Sequence, residues 1–533
     1  MINIYTPAEI ERIVEATIGR LEDISKLDET QKELWLGRRA AFINAVGESV
    51  AREVVDLRGH SASKVLVFAG DGICGAYAMS AATALHGKGC KAKVVLFNIG
   101  GSVLSEDTLS EREKFLSEAG AEYLEEVINP GLGFTMPEID RRTILVDGIF
   151  GSEYKKPLRG GYQAVARHIN EQHAKVIAID LPSGMLTDMG VGMINRNIVH
   201  ADVTLTLVGP TLSFFMPENA ELVGQWKVID TPLDSEALKT VNRTTRVIDA
   251  KAVRRVLPTR SAIASKADLG DALIFAGSYG MVGAAVLATR AATRSGCGRV
   301  TCYGPRCAYD VMQTSVPSAM FATDGSDSEI HTFENLKNSK GVAVGPGIGT
   351  AEDTIIGLEV FLKSCYATSK SLILDADALN CISKRPSMID FIPPRSIITP
   401  HAGEFDRLFG PQTSHSSRVL KAIEMAAKHK IIIVLKGHNT LTIWPTGEIV
   451  VNTSATEALA TAGSGDVLTG IMAGFVAQNL QPEIAAVAAV YVHGIAGRIA
   501  LRDNGVYGTT AEDVADSVGL AIDYVLNPRT NDA

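Results

Sequence analysis

An alternation that occurs twice constrains this chain more than any other feature. Through the first half, the apolar stretches "KVLVFAG", "KAKVVLFNIG", "RTILVDGIFG", "KVIAIDLPSG" and "ADVTLTLVG" are separated by helical or glycine-rich segments. Short strands alternating with helices imply parallel βαβ units. A second series starts at "DALIFAG" and runs through "RVTCYG", "GVAVGPGIG", "SLILDADAL", "SIITPHAGEF", "IIIVLKG" and "LTIWPTGEIVVN". At 533 residues the chain exceeds one ordinary core. The expected fold class is therefore α/β, with two domains, each a mostly parallel sheet flanked by helices. Ahead of the first series, residues 10–57 carry apolar positions at helical spacing and predict two or three helices packed on the first sheet. Between Asp230 and about Leu269 the chain turns polar and contains Pro232 and Pro258, which fits a connection with one short helix. The boundary is placed near Thr240, giving domains 1–240 and 241–533.

Hydrophobic residues make up 46% and charged residues 21% of the chain, the profile of a soluble α/β enzyme. The formal net charge of −9 excludes a general electrostatic hold on nucleic acid or acidic membranes and points to small-molecule partners. Seven cysteines form no CxxC pair and no Cys/His spacing suited to zinc, so reduced thiols and a cytoplasmic location are expected. The first residues lack the basic and apolar regions of a signal peptide, and no apolar run is read as reaching bilayer length.

Ligands of open α/β sheets bind outside the carboxyl ends of the strands. In the second half, "AGSYGMVGAA" and "GPGIG" are small-residue loops at such ends, serving either tight packing or close approach of a ligand. His401 follows a strand and precedes an acidic helical turn, which suits a helix cap as well as a ligand contact. Lys436 and Thr440 in "LKGHNT" offer a cation and a hydroxyl for a nucleotide, or else a solvated strand end. "TAGSGDVLTG" is the most specific stretch. The backbone N–H groups of Gly463, Ser464 and Gly465 at a helix start form an anion hole suited to a phosphoryl group in transit. Asp466 beside them is either a base for a hydroxyl proton or a first-turn acid favoured by the helix dipole.

These stretches, with "LDADALN" and "TPHAGEF", occur in the order and spacing of the ADP/ATP-dependent NAD(P)H-hydrate dehydratases, a family of the ribokinase-like superfamily that the second half resembles. The first half, with "LVDGIFGS", "IDLPSG" and "ADVTLT", is similar to the NAD(P)H-hydrate epimerase domain, a Rossmann-like domain often fused in front of that dehydratase. The resemblance implies repair of nicotinamide cofactors that have added water across the ring. The nucleotide, ADP or ATP with Mg2+, phosphorylates the hydroxyl of the S hydrate, and loss of phosphate restores NADH or NADPH. It implies Asp466 as base, Gly463, Ser464 and Gly465 as anion hole, and Lys436, Gly437, His438, Asn439, Thr440 and Gly465 as nucleotide contacts. Ala284, Gly347, Gly349 and His401, with Asp466, would touch the hydrate. In the first half, Gly151, Ser152 and Asp180 would bind the hydrate, and Asp147 and Ser183 a potassium ion. A homo-oligomer is expected.

The first half departs from its family pattern. A Gly-Asn-Asn-Gly-Gly-Asp-Gly loop is replaced by Gly72, Ile73, Cys74, Gly75, Ala76, Tyr77 and Ala78, so both amides and the acid are gone. Glu153 stands for a glycine and Thr211 for a lysine. Lost oxygen ligands weaken a cation site, and R/S epimerisation by this domain is left open. The alternative is a ribokinase-like kinase for a small molecule such as a vitamin precursor, with a non-catalytic binding or dimerisation module in front.

Overall fold

All five apolar stretches of the first half become strands in the computed structural model, which describes residues 1–58, 63–101, 103–128, 136–186, 197–241, 244–334 and 339–528. The chain divides into two units, Asn3–Arg243 on one side and Met1–Ile2 with Thr244–Ala533 on the other. In the first unit a fully parallel seven-stranded sheet runs in the order Leu124–Val127, Ala92–Phe97, Lys64–Ala69, Thr143–Gly148, Lys175–Ile179, Val203–Thr206, Gln225–Val228. The two edge strands have no counterpart in the sequence reading. Their residues are half solvated, so no apolar run marks them. The chain leaves Lys64–Ala69 in one direction and returns at Thr143–Gly148 on its other side, and this reversal opens a crevice at the strand ends. Three helices precede the sheet, at Pro7–Ile18, Leu21–Ile24 and Glu29–Arg58.

The second unit repeats the plan around Asp271–Phe275. Arg299–Tyr303 and Met320–Ala322 lie parallel on one side, and Gly341–Val344, Ile373–Leu374, Ile397–Ile398 and Ile432–Leu435 on the other. The antiparallel strands Thr440–Ile443 and Ile449–Asn452 extend that side, and Thr245–Val247 adds to the last in parallel. Strand reversal here falls between Asp271–Phe275 and Gly341–Val344, the strands that precede the two glycine loops.

Two expectations need correction. The connecting segment holds two short helices, Ser235–Lys239 and Ala250–Arg254, where one was expected. Each starts on an aspartate whose carboxylate accepts a first-turn N–H, Asp234 from Ala237 and Asp249 from Ala252, both at 2.7 Å. Local capping supplies what the polar composition hid. One helix, Pro482–Asn504, is also long and apolar enough to cross a bilayer, although no run of that length was read. Its apolar stretch is 67% buried in the unit and contributes Ala485, Val492 and Ala496 to the core, as a central helix of a folded domain does.

Candidate active site

The sequence places small residues where strands of the second unit end, and the fold ties these turns to one another. Gly277 N donates to Pro346 O at 2.8 Å and Ser278 Oγ to Gly347 O at 2.8 Å, which pins the first glycine loop to the second. A Cβ on Gly347 would stand 3.1 Å from that of Ala284, so Ala284 and Gly347 share one wall. Gly349 N donates to Asp377 Oδ2 at 3.0 Å. On the neighbouring strand ends, His401 and Lys436 form a single parallel bridge, with Lys436 N donating to Pro400 O at 2.9 Å.

Lys436 is not a solvated strand end. Its Nζ donates to Asp375 at 2.8 Å and lies 3.7 Å from Glu404. Asp375 is 1% exposed and also accepts from Thr469 Oγ1 at 2.7 Å. Burial pushes the Asp375 carboxyl up, but Lys436 and the hydroxyl outweigh it and hold the group below its usual range. Burial likewise opposes the charge on Lys436, and Asp375 and Glu404 more than restore it. The lysine is a fixed cation in a dry setting.

Gly463 begins the helix Ser464–Ala477 with φ 87°, a left-handed turn that folds the loop back over this cation. A Cβ on Gly465 would lie 3.5 Å from Lys436 Nζ. Ser464 N already donates to Thr461 O at 3.3 Å, and Ser464 Oγ meets His493 Nε2 at 3.1 Å. Burial drives the His493 pKa down to about 4, so that imidazole is neutral. Of the expected donors, Gly463 and Gly465 keep N–H groups without a carbonyl partner among the described residues, and Asp466 adds a third. Asp466 makes no cap. Burial, and after it the Asp375 charge, push its pKa to about 7 against the pull of Lys436. A half-buried carboxylate poised near neutrality, beside free N–H groups and a fixed ammonium, has the properties of a general base next to an anion site.

The other predicted residues divide. His401 caps the helix Ala402–Phe409: its Nδ1 accepts from Gly403 N at 3.0 Å, and Glu404 returns a bond to the His401 N–H at 2.9 Å. Gly437 and His438 are exposed at the rim, and Thr440 gives its hydroxyl to Gly437 O at 3.2 Å.

In the first unit, Asp147 and Ser183 lie side by side with no exposure. Ser183 Oγ donates to Asp147 Oδ1 at 2.6 Å and Ser183 N to Asp147 Oδ2 at 2.8 Å, while Phe150 N donates to Ser183 Oγ at 3.0 Å. Burial raises Asp147 to about 6 in spite of these bonds. This is a closed pair. Asp180 accepts Ser152 N at 2.7 Å and opens instead onto a pocket of about 230 Å³ that Ser152, Glu153, Tyr77 and Thr211 also line.

A curated bifunctional NAD(P)H-hydrate repair enzyme of Thermofilum pendens is 32% identical over 510 residues, which cover 93% of this chain and 94% of that protein. That of Moorella thermoacetica is 32% identical over 383 residues, covering 70% and 71%. The chain belongs to the bifunctional NAD(P)H-hydrate repair enzymes. Residues 272–519 of this repair enzyme match the model of the NAD(P)H-hydrate dehydratase family, and residues 39–213 match that of the YjeF-related N-terminus. A solved ADP/ATP-dependent NAD(P)H-hydrate dehydratase from Bacillus subtilis, co-crystallised with ATP and Mg2+, is 30% identical, covers 52% of this chain and 97% of its own, and gives a TM-score of 0.46. The kinase alternative is set aside by full-length relatives of this kind.

Reading residues alone missed five groups of the repair enzyme's second-unit site: Asp375, Asp377, Glu404, Thr469 and His493. Asp375 and Asp377 had a signal, the two acids that follow a strand in "LDADAL". The other three sit within helices, and only packing turns Glu404 toward Lys436, Thr469 toward Asp375 and His493 toward Ser464.

Proposed function

We propose that residues 241–533 dehydrate the S hydrate of NADH or NADPH at the expense of ADP or ATP, and that residues 1–240 interconvert the R and S hydrates. The observation that carries the first part is the uncapped Asp466, with its pKa near 7, beside the Gly463–Gly465 turn and Lys436.

Reduced nicotinamide is an enamine, so added water leaves its hydroxyl on the ring carbon next to nitrogen. Asp466 takes the hydroxyl proton as the oxygen attacks the terminal phosphoryl group of the nucleotide, whose bond to the bridging oxygen breaks and releases AMP from ADP or ADP from ATP. Negative charge that develops there meets the N–H groups of the helix start and the Lys436 ammonium. The new phosphate ester departs as inorganic phosphate, the adjacent carbon gives up a proton, and the ring double bond returns. Lys436, Gly437, His438, Asn439 and Thr440 hold the nucleotide, while Ala284, Gly347, Gly349 and His401 border the hydrate. Three acids, Asp375, Glu404 and Asp466, act on one lysine, and Asp377 adds its charge near Asp466. An anionic nucleotide therefore fits best with its charge already reduced. No cluster of three or more His, Cys, Asp or Glu side chains that could hold a metal ion exists among the described residues, and Mg2+ entering with the nucleotide would lower the phosphate charge that Lys436 and the helix-start N–H groups meet.

The test supplies S hydrate, ADP or ATP and Mg2+, and follows reduced-nicotinamide absorbance together with inorganic phosphate. Equimolar release of both is expected. A stable phosphorylated product without reduced cofactor would refute the reading.

A further inference from the structure

The first-unit pocket contains groups that the closed Asp147–Ser183 pair does not engage. Tyr77 is 2% exposed and lines the pocket, and its hydroxyl has no hydrogen-bond partner among the described residues. It occupies the helix start where the family pattern has polar groups. Opposite, Glu153 and Asp180 converge on Gly151: a Cβ there would stand 2.8 Å from Asp180 Oδ2 and 2.8 Å from Glu153 Oε2. Glu153 is exposed as a residue, yet its carboxylate turns back onto Gly151 N, at 3.1 and 3.2 Å. Neither carboxylate is paired with a cation among the described residues, because Lys155 at the rim is bound to Glu11 at 3.0 Å. Asp180 is held at φ 65°, a left-handed conformation that a non-glycine residue adopts at a cost. That strain aims its carboxylate at the Ser152 N–H beside the pocket.

We propose that Glu153 and Asp180, with Tyr77, are the acid–base groups that exchange the hydroxyl of the hydrate in this pocket, without a potassium ion. The proposal rests on the reading that the first unit takes the hydrated ring. Two adjacent carboxylates cannot both ionise cheaply, so one keeps a proton; burial and the Asp180 charge raise Glu153 to about 7, and burial raises Asp180 as well. The protonated member gives its proton to the ring hydroxyl. The carbon–oxygen bond breaks, water leaves, and the nitrogen lone pair forms a carbon–nitrogen double bond, making the ring cationic. The two carboxylates, both ionised once the proton has left, stabilise that cation. Water then adds to the opposite face and returns a proton to the carboxylate, so nothing is oxidised or reduced and no proton is lost overall. Tyr77 has a free hydroxyl to hold the departing or arriving water. A pocket of about 230 Å³ lies below the roughly 300–1,000 Å³ that accommodates whole drug-sized ligands, and suits the ring with the rest of the dinucleotide outside. A potassium ion does not fit the oxygens once expected to hold it, since Asp147 and Ser183 are fully buried and bonded to each other.

The test uses the full chain and purified R hydrate without nucleotide, following the S form by chromatography in potassium and in tetramethylammonium salts. Equal rates in the two salts are expected. Glu153→Gln should slow the exchange about 100-fold or more, and Tyr77→Phe about tenfold, while both variants keep the wild-type thermal unfolding profile of the first unit, which reports an intact fold there, and dehydrate S hydrate with ADP at the wild-type rate. Exchange that needs potassium, or that survives Glu153→Gln, overturns the proposal alone. No exchange above the uncatalysed rate in either salt overturns the reading of the first unit and the proposal with it.

Discussion

Asp466 occupies a first helical turn without capping it, and burial beside Asp375 is what holds its proton to about pH 7. A base must be ionised, so kcat for dehydration should climb about tenfold per pH unit below 7 and level off above it, measured with saturating S hydrate and ADP. Asp466→Asn should lower kcat by about 100-fold or more, with little change in KM. The same change should stabilise the unit at alkaline pH. Because the folded pKa lies above the ordinary 3.8, the folded chain binds the extra proton between these values, and stability falls as pH rises through that window. Above pH 7 the full cost is about 4 kcal/mol at most, and partial solvation reduces it to about 2 kcal/mol. Urea unfolding at pH 8 checks whether the asparagine variant recovers that amount. Lys436 gives the opposite case. Lys436→Met strands the buried Asp375 charge and should cost about 3–5 kcal/mol, whereas the double variant with Asp375→Asn should recover most of the stability and none of the nucleotide affinity.

The helix Ser464–Ala477 owes its position to one left-handed turn. Gly463→Ala would force φ 87° on a residue with a Cβ and press that Cβ to 2.4 Å from Leu287 Cδ1. A loss of about 1–3 kcal/mol is expected, with a fall in kcat because the N–H groups shift; adding Leu287→Ala should relieve the clash without restoring kcat, since the backbone strain stays. Elements were legible in proportion to how completely they are buried. Lys64–Ala69 and Ile432–Leu435 are buried along nearly their whole lengths and announced themselves as apolar runs. Leu124–Val127 and Gln225–Val228 are sheet edges, exposed enough to carry polar residues, and went unread. The helix Pro482–Asn504 escaped notice for the reverse reason: glycine, histidine and tyrosine break its apolar run, while alanine lets it sit in the core.

Each unit has its own sheet and core. A ligand stabilises only the state that binds it, so ADP at about 100 times its Kd should add about 2.7 kcal/mol to the unit holding Asp466 and leave the other unmoved. Differential scanning calorimetry of the full chain with and without ADP measures this as the upward displacement of a single transition.

The amino-acid sequence by itself determined the two mostly parallel sheets, the glycine loops at their strand ends, and the place of Asp466 after a turn of small residues, because apolar burial and glycine conformations leave local marks. The tertiary structure alone decided what those residues do to one another. Lys436 reads as a surface cation until Asp375, 61 positions away, is found bonded to it. Asp147 and Ser183 read as separate candidates until the fold bonds one to the other, and Glu153 reads as a departure from a glycine until it meets Asp180 across Gly151. The affinity of a group for a proton or a cation is set by charges and desolvation that distant segments bring together, and no local pattern records it.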